Sequence, residues 1–558
     1  MATAPPAAAQ DAGSAIQRGL GLDRPSERPL PRVEPQPERA RPTIELPPAP
    51  APSPDDAGRL SSAPVVVLRE AVVTGNTALP PEEIAAVTEP FLGRPVSAED
   101  LVRLTNAITL LYVDRGYVNS GAVLPDQKIE EGRIRIEVVE GRLEEVQVVG
   151  NEWFRTAHLR SRLERAASVP LDVQRIEERL RLLQADERIA RMDAELLPGA
   201  EPGSAVLRVR VEDRQPFHAN LFFANSQAPA IGSLRGDLLL VDDNLTGSGD
   251  TLAFDFGATG GLQDYNASYE LPFTRWDTRL LTHFRLSRSR IIESPFDQLD
   301  ITSKSTTYGI GLAQPVYESV HTNLQLSLVG ELRRSRTYLL GRPFSFSPGV
   351  QDGKANVSVI RFGQLALHRD AKQVLAARSV FSFGLPVLGA NETTGSLPGG
   401  EFQSWLVQLQ WVRRFESLLQ TELVLRLDAQ LATRPLLPLE QFAIGGFATV
   451  RGYRENEIVR DYGFVTSIEA RIPVLRAFGG RFLLQVAPFY DAGQAYFLRR
   501  PTPDPVTLQS IGIGLRASVL PWLQFQVYYG HRLTDVVVPS ASDLQDEGVT
   551  FAVTILPF

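Results

Sequence analysis

Two periodicities divide the chain. From about Phe217 onward apolar and polar residues alternate, which sends them to opposite faces of successive strands. In Thr322–Leu332, Leu324, Leu326, Leu328 and Leu332 share one face while Asn323, Gln325, Ser327 and Glu331 share the other. In Gln420–Leu431, Leu423, Leu425, Leu427 and Leu431 oppose Glu422, Arg426, Asp428 and Gln430. In Trp522–Tyr529, Leu523, Phe525 and Val527 oppose Gln524 and Gln526. A soluble sandwich also alternates in this way. Here, however, the runs reach roughly ten residues, the length that crosses a bilayer when tilted. About sixteen of them begin near 217, 232, 250, 264, 278, 304, 321, 355, 372, 402, 419, 462, 480, 506, 522 and 548. An even number lets the sheet close, and lipid demands closure because an open edge leaves backbone groups unpaired. The pattern therefore predicts a mainly β fold, a 16-stranded antiparallel transmembrane β-barrel over 215–558, wide enough for an aqueous channel.

Ahead of the barrel, helical and strand spacings fall within a unit that occurs twice. Gly75-Asn76 recurs 75 residues on as Gly150-Asn151, Pro95 as Pro170, Leu101 as Ile176 and Ile108 as Leu183. At the same offset Ile134 and Ile136 recur as Val209 and Val211. Fixed spacing over a whole unit means two copies of one small fold. Each copy opens with a β-rich run, Val65–Val73 or Val146–Val149, ended by the Gly-Asn turn. Two helical patterns follow, with Leu101, Leu104, Ile108 and Leu111 on one helix face. An alternating strand closes each copy, Arg133–Val139 or Ala205–Val211. The order β-α-α-β-β belongs to the α+β class, with units at 65–141 and 142–214. Residues 21–64 carry proline every few positions and read as an extended linker, and Ala7 to Leu20 form a helix candidate within 1–20.

Composition changes this picture at a few points. The 558 residues call for several domains. No run of eighteen apolar residues occurs and mean hydropathy is −0.09, which excludes a transmembrane helix but not a barrel, whose alternation averages out. Cysteine is absent, as suits an envelope protein that keeps free thiols out of an oxidising compartment. The net charge of −8 is spread without basic blocks, so no nucleic-acid partner is expected. Four of the five tryptophans, Trp276, Trp405, Trp411 and Trp522, fall in the barrel region, as interfacial girdles require. The last residue, Phe558, follows the alternating Val549, Phe551, Val553 and Ile555 of a final strand. The start, MATAPPAAAQ, has neither a cationic segment nor an apolar one. A barrel must be exported, so the numbering is expected to begin at a processed form with an added Met1. The six histidines are scattered and no H-E-x-x-H, G-x-S-x-G or Walker A pattern occurs; Gly349 to Lys354 lacks the P-loop spacing. No enzymatic activity, catalytic residue, cofactor or metal is expected.

The candidate mechanism lies in the loop 433–461, between the eleventh and twelfth expected strands. It contains Gly445-Gly446-Phe447-Ala448-Thr449-Val450-Arg451-Gly452-Tyr453, an apolar, glycine-rich stretch around one arginine, suited to fold back into the lumen. In Phe482–Gly493, strand phase sends Phe482, Leu484, Val486 and Tyr490 outward. It sends Leu483, Gln485, Ala487, Phe489 and Asp491 inward. A lone buried carboxylate is costly, and the planar five-donor fork of Arg451 matches it. Asp491 in Asp-Ala-Gly would equally suit a turn with Arg451 in water. Glu469 and Arg471, also inward by phase, compete for either charge.

Val450-Arg451-Gly452-Tyr453 resembles the VRGY motif in the sixth extracellular loop of the two-partner secretion transporters (TpsB family). Phe489-Tyr490-Asp491-Ala492-Gly493 resembles the F-x-D-x-G motif, here Phe489, Asp491 and Gly493, on the thirteenth strand of that superfamily, which includes BamA. The repeated unit resembles a tandem of polypeptide-transport-associated (POTRA) domains, with Arg115-Gly116-Tyr117 and Glu140-Gly141 as family-like runs in the first. The resemblance covers about 65–558. It implies a sixteen-stranded barrel in the bacterial outer membrane with periplasmic POTRA domains, the loop 433–461 inside, and the N-terminal helix as plug. It implies a monomer, seated in outer-membrane lipid, that exports a large TpsA-like exoprotein of adhesin or haemolysin type without enzymatic chemistry. The alternative is a barrel-assembly insertase of the same superfamily; those typically carry more POTRA domains, and two favour translocation.

Overall fold

A computed structural model describes Arg24, Thr43–Glu45 and residues 66–520, 522–537 and 543–556. The helix expected within 1–20, most of the linker and Phe558 lie outside the described residues. The chain divides into two compact units, one of residues 39–215 and one that holds 216–558 together with 1–38.

In the first unit the two copies are built from the same elements. The first has β1 (Glu70–Thr74), α1 (Pro81–Thr88), α2 (Ala98–Asp114), β2 (Gly121–Val123) and β3 (Arg133–Val139). The second has β4 (Arg142–Val149), α3 (Thr156–Leu163), α4 (Val173–Gln184), β5 (Ile189–Pro198) and β6 (Ser204–Asp213). A capping box between Ser97 and Asp100 starts α2 by satisfying otherwise orphaned N–H groups. One face of α2, with Leu101, Leu104, Ile108 and Tyr112, packs on Ile134 and Ile136 of β3. In the second copy Ile176 and Leu180 of α4 pack on Leu207 and Val209 of β6.

The repeat offset is not constant along the unit. Val73 pairs with Ile136 across β1 and β3, and Val148, its counterpart, pairs with Val209 across β4 and β6. Ile136 therefore corresponds to Val209 rather than Val211, and the second copy is two residues shorter before its last strand. A two-residue shift preserves the inward phase of a strand, which is why a constant offset still matched core positions to core positions. A second departure lies in the expected linker. Thr43–Glu45 adds to the second copy's sheet, parallel to β5 opposite Asp193, Ala194 and Glu195. An edge strand presents unpaired N–H and C=O groups, and even a short extended segment can take them up.

The second unit is a closed antiparallel barrel of sixteen strands. They are β7 (Phe217–Ala224), β8 (Arg235–Asp242), β9 (Thr251–Ala258), β10 (Leu262–Pro272), β11 (Arg279–Arg290), β12 (Thr302–Glu318), β13 (Thr322–Leu339) and β14 (Lys354–Arg369). The others are β15 (Gln373–Leu385), β16 (Gln403–Phe415), β17 (Thr421–Ala432), β18 (Tyr462–Ala477), β19 (Phe482–Tyr496), β20 (Thr507–Val519), β21 (Leu523–Arg532) and β22 (Val549–Ile555). All begin within three residues of the expected positions. Leu324, Leu326 and Leu328 are exposed on the outer face of β13, while Glu331, Arg333, Ser335 and Thr337 on the same strand are buried inside. Several strands outrun the alternating stretch: β13 pairs on through Arg336 and beyond, because the ladder continues after the lipid-facing requirement ends. Trp405 sits at the opposite end of β16 from Trp411, which gives aromatic residues near both rims. No helix of the described residues is long and apolar enough to cross a membrane.

Candidate functional site: the lumenal loop and its wall

The residues between β17 and β18 form an internal structure rather than a surface loop. Phe442–Ile444 pairs with Ile458–Arg460 as a small hairpin, and residues 435–446 are buried throughout. On the descending limb Leu436, Leu437 and Leu439 pack on Ile291, Ile301, Val357, Val359 and Phe402. Nearer the tip, Ile444, Val450 and Tyr453 pack on Leu406, Val465, Ala495 and Leu508. Asp461 joins both limbs at the base, accepting from Leu436 N at 3.0 Å and Gln441 Nε2 at 3.1 Å. The barrel interior holds such an apolar segment because it offers apolar patches of its own at these two levels.

At the tip, Arg451 meets Asp491 of β19 through two parallel hydrogen bonds. Nε donates to Oδ2 at 2.8 Å and Nη2 to Oδ1 at 2.9 Å, and the Arg451 backbone N–H adds a third at 3.0 Å. Nη1 also donates to Glu469 of β18, and Nη2 to Ser467 Oγ at 3.2 Å. The guanidinium lies 3.6 Å from the ring centre of Phe489 and 4.7 Å from that of Tyr528. Carboxylates at its edge and aromatic faces above it together compensate a cation that has lost its water. Asp491 is fully buried, with exposure of 0%. Glu469 and Arg471 do not compete for these charges. Arg471 Nε donates to Glu469 Oε1 at 2.7 Å, so both extend the same network.

The flanking motif residues explain the loop's close approach to the wall. Gly452 has φ of +93°, and a Cβ there would lie 2.7 Å from the carbonyl oxygen of Gly530 on β21. Only glycine tolerates both demands. The buried Tyr453 hydroxyl donates to the Gln509 carbonyl at 2.6 Å and accepts from Thr534 N at 3.1 Å. Val450 packs over Gly493, where a Cβ would lie 3.3 Å from the valine side chain. Thus Val450, Arg451, Gly452 and Tyr453 on the loop meet Phe489, Asp491 and Gly493 on the wall in one cluster.

Two further ionic contacts escaped the sequence reading. Glu440, on the descending limb, accepts from Arg333 Nη1 at 2.7 Å and from Arg361 Nη2 at 2.8 Å; all three are buried. On the ascending limb Arg454 pairs with Asp546 at 2.5 Å and Glu293 at 2.7 Å. Glu440 is the lone charge in an apolar run from Leu436 to Val450, the same kind of signal that marked Arg451. Extending the inward phase of Glu331 by two residues gives Arg333, its partner. Among the described residues, no group of three or more His, Asp or Glu is placed to hold a metal ion.

A closed sixteen-stranded barrel with an ionically docked internal loop, behind repeated α+β units, defines an outer-membrane polypeptide transporter. The chain belongs to the haemolysin secretion/activation protein family ShlB/FhaC/HecB, whose family model matches residues 203–517. A ShlB-type POTRA domain model matches residues 66–141. The outer membrane transporter CdiB of Dickeya dadantii (strain 3937) is 25% identical over 86% of this chain and 85% of its own. The heme/hemopexin transporter protein HuxB of Haemophilus influenzae (strain 86-028NP) is 23% identical over 78% of each. The structure of CdiB from Escherichia coli shares the fold, with a TM-score of 0.63 at 20% identity over 100% of both chains. BamA from Haemophilus ducreyi lacking POTRA domains 1–3 shares it at 0.54 and 15% identity, over 88% of this chain and 100% of that one. The protein is an outer-membrane translocator of the two-partner secretion type that exports a partner exoprotein, with its POTRA region in the periplasm. The family favours this reading over barrel assembly.

Proposed function

We propose that the barrel exports a large exoprotein of the adhesin or haemolysin type, with the loop 433–461 docked in the lumen as the transport-competent state. The bidentate Arg451–Asp491 pair carries this reading. It ties the loop to the conduit wall with charges that are costly to separate, so the loop's position is a defined state. The transporter works as a monomer in outer-membrane lipid, without cofactor or catalytic residue. Its cargo crosses unfolded, after capture by two POTRA domains at 65–141 and 142–214. Capture follows strand addition to a sheet edge, and the pairing of Thr43–Glu45 with β5 supports this because that edge accepts an extended segment. Residues 1–20 act as a plug tethered by 21–64.

Deleting residues 65–140 tests the receptor role. Secretion is expected to stop while a heat-modifiable barrel still reaches the outer membrane; normal secretion would overturn it. Removing residues 1–20 is expected to raise single-channel conductance in planar bilayers, and unchanged conductance would make that segment only a tail.

A further inference from the structure

The barrel closes between its first and last strands. Among the described residues, four pairs join β7 to β22, from Leu221–Ile555 to Ala224–Ala552. Beyond them a side chain takes over the pairing. Asn225, with 0% exposure, accepts from Phe551 N through Oδ1 at 2.7 Å and donates from Nδ2 to the Val549 carbonyl at 2.9 Å. Its own backbone N–H donates to the Phe551 carbonyl at 3.3 Å.

A second buried amide then joins this extended seam to the lumenal loop. Gln545, in the connection between β21 and β22, is 1% exposed. Its Nε2 donates to the carbonyls of Asn225 at 2.8 Å and Gln227 at 2.7 Å. Its Oε1 accepts from the backbone N–H of Glu455, on the ascending limb of the loop, at 2.8 Å. The neighbours reinforce the junction: Arg454 of the loop pairs with Asp546, and Arg532 donates to the carbonyls of both Gly452 and Gln545. One planar amide thus serves the loop with its oxygen and the seam with its nitrogen. In a buried site it cannot turn toward one partner without leaving the other unsatisfied, which costs more than the bond itself contributes.

We propose that Gln545 is a positioning residue that couples the docked position of loop 433–461 to closure of the seam between β7 and β22 beyond Ala224. Displacing the loop withdraws the Glu455 N–H from Gln545 and loosens its hold on Asn225 and Gln227; opening the seam weakens loop docking by the same amount. This rests on the proposal that the docked loop is a defined state of the transporter.

The absence of native cysteine permits the test in the full chain in outer membranes. A single cysteine at Ala552 reports the seam and one at Val450 reports the loop, each read as its rate of labelling by a maleimide. Gln545→Leu removes both arms and should raise labelling at both sites, roughly fivefold to tenfold for one or two lost buried hydrogen bonds. Gln545→Glu keeps the acceptor for Glu455 but loses the donor, so it should act on position 552 more than on 450; it also serves if the leucine variant fails to insert. Arg451→Ala, whose side chain makes no seam contact, should raise labelling at 450 and also at 552, and the effect on 552 should vanish in a Gln545→Leu background. If Arg451→Ala frees position 450 but leaves 552 at the native rate, the coupling is wrong. If it leaves 450 unchanged as well, the docked-loop reading fails and the coupling falls with it.

Discussion

In the first repeat unit the side chains most withdrawn from solvent include Leu104, Ile108, Tyr112 and Ile136, whereas inside the barrel they include Arg333, Asp461, Asp491 and Glu440. The repeat units face water and hide apolar surface, which stabilises them in proportion to area buried. The barrel faces lipid, so leucines such as Leu324, Leu326 and Leu328 point outward, and its interior holds buried charges beside the apolar residues that pack on the loop. Buried charges contribute little net stability once desolvation is counted, but they fix geometry, because any misplacement leaves a charge unpaired. The two regions therefore use burial for different ends: the repeat cores hold a domain together, and the barrel's buried ions hold a loop in place.

The sharpest way to break this contrast is to remove charge at the tip. Arg451→Ala leaves Asp491 without its cation and Glu469 with Arg471 in place of two, a penalty on the order of 3–5 kcal/mol. Secretion should collapse while the barrel, closed by sixteen ladders, stays heat-modifiable on gels. Asp491→Ala should act alike. The matching change in the other region, Leu104→Ala, opens a cavity beneath α2 and costs about 2–5 kcal/mol. It should release the amide-exchange protection of residues 70–139 while barrel melting is unchanged. A milder change is Glu440→Gln, which keeps hydrogen bonds to Arg333 and Arg361 but removes the charge. Losing charge assistance is worth about 1–2 kcal/mol, so thiol labelling of a cysteine at Leu437 should rise while that at Val450 changes less.

The smallest effect concerns pH. Burial disfavours the charged form of Glu140, but hydrogen bonds from Thr77, Tyr112 and Ala78 outweigh it and hold its carboxyl below the usual range. A depressed folded-state value stabilises the first repeat unit above the unfolded value of about 4.5, and that contribution is lost as pH falls through the folded one. Glu140→Gln should therefore lower amide-exchange protection in this unit at neutral pH, with the difference from the native chain shrinking below about pH 4.5.

The same contrast explains what was legible in the sequence. Lipid writes a period of two into each strand, so all sixteen strands could be located, and phase alone sent Asp491 inward and Tyr490 outward. The writing stops where lipid stops: Arg333 and Arg334 are consecutive cations on β13, which obscures phase, and the strand runs on to Leu339. Glu440, Arg454 and Gln545 lie in connections with no periodicity, and the partners named for their side chains lie at least 79 residues away in sequence. In the repeat, hydrophobic spacing marked core positions but could not separate an offset of 75 from the two-residue shortening that strand register shows. The Thr43–Glu45 strand was hidden for another reason, since prolines at 42, 47 and 48 confine it to a few residues.

The central claim is that the loop 433–461 lies inside the barrel with Arg451 as its lock. Cysteines placed at Val450 and Gly493 leave Arg451 and Asp491 untouched and sit where the loop touches the wall. The measurement is the fraction of full-length chain carrying a 450–493 disulfide in native outer membranes, with a membrane-impermeant thiol reagent applied to intact cells. The account predicts that the disulfide forms in most chains, that position 450 resists the reagent, and that adding Arg451→Ala reverses both. Ready labelling of position 450 from outside the cell, with no disulfide, would place the loop at the surface and contradict the account.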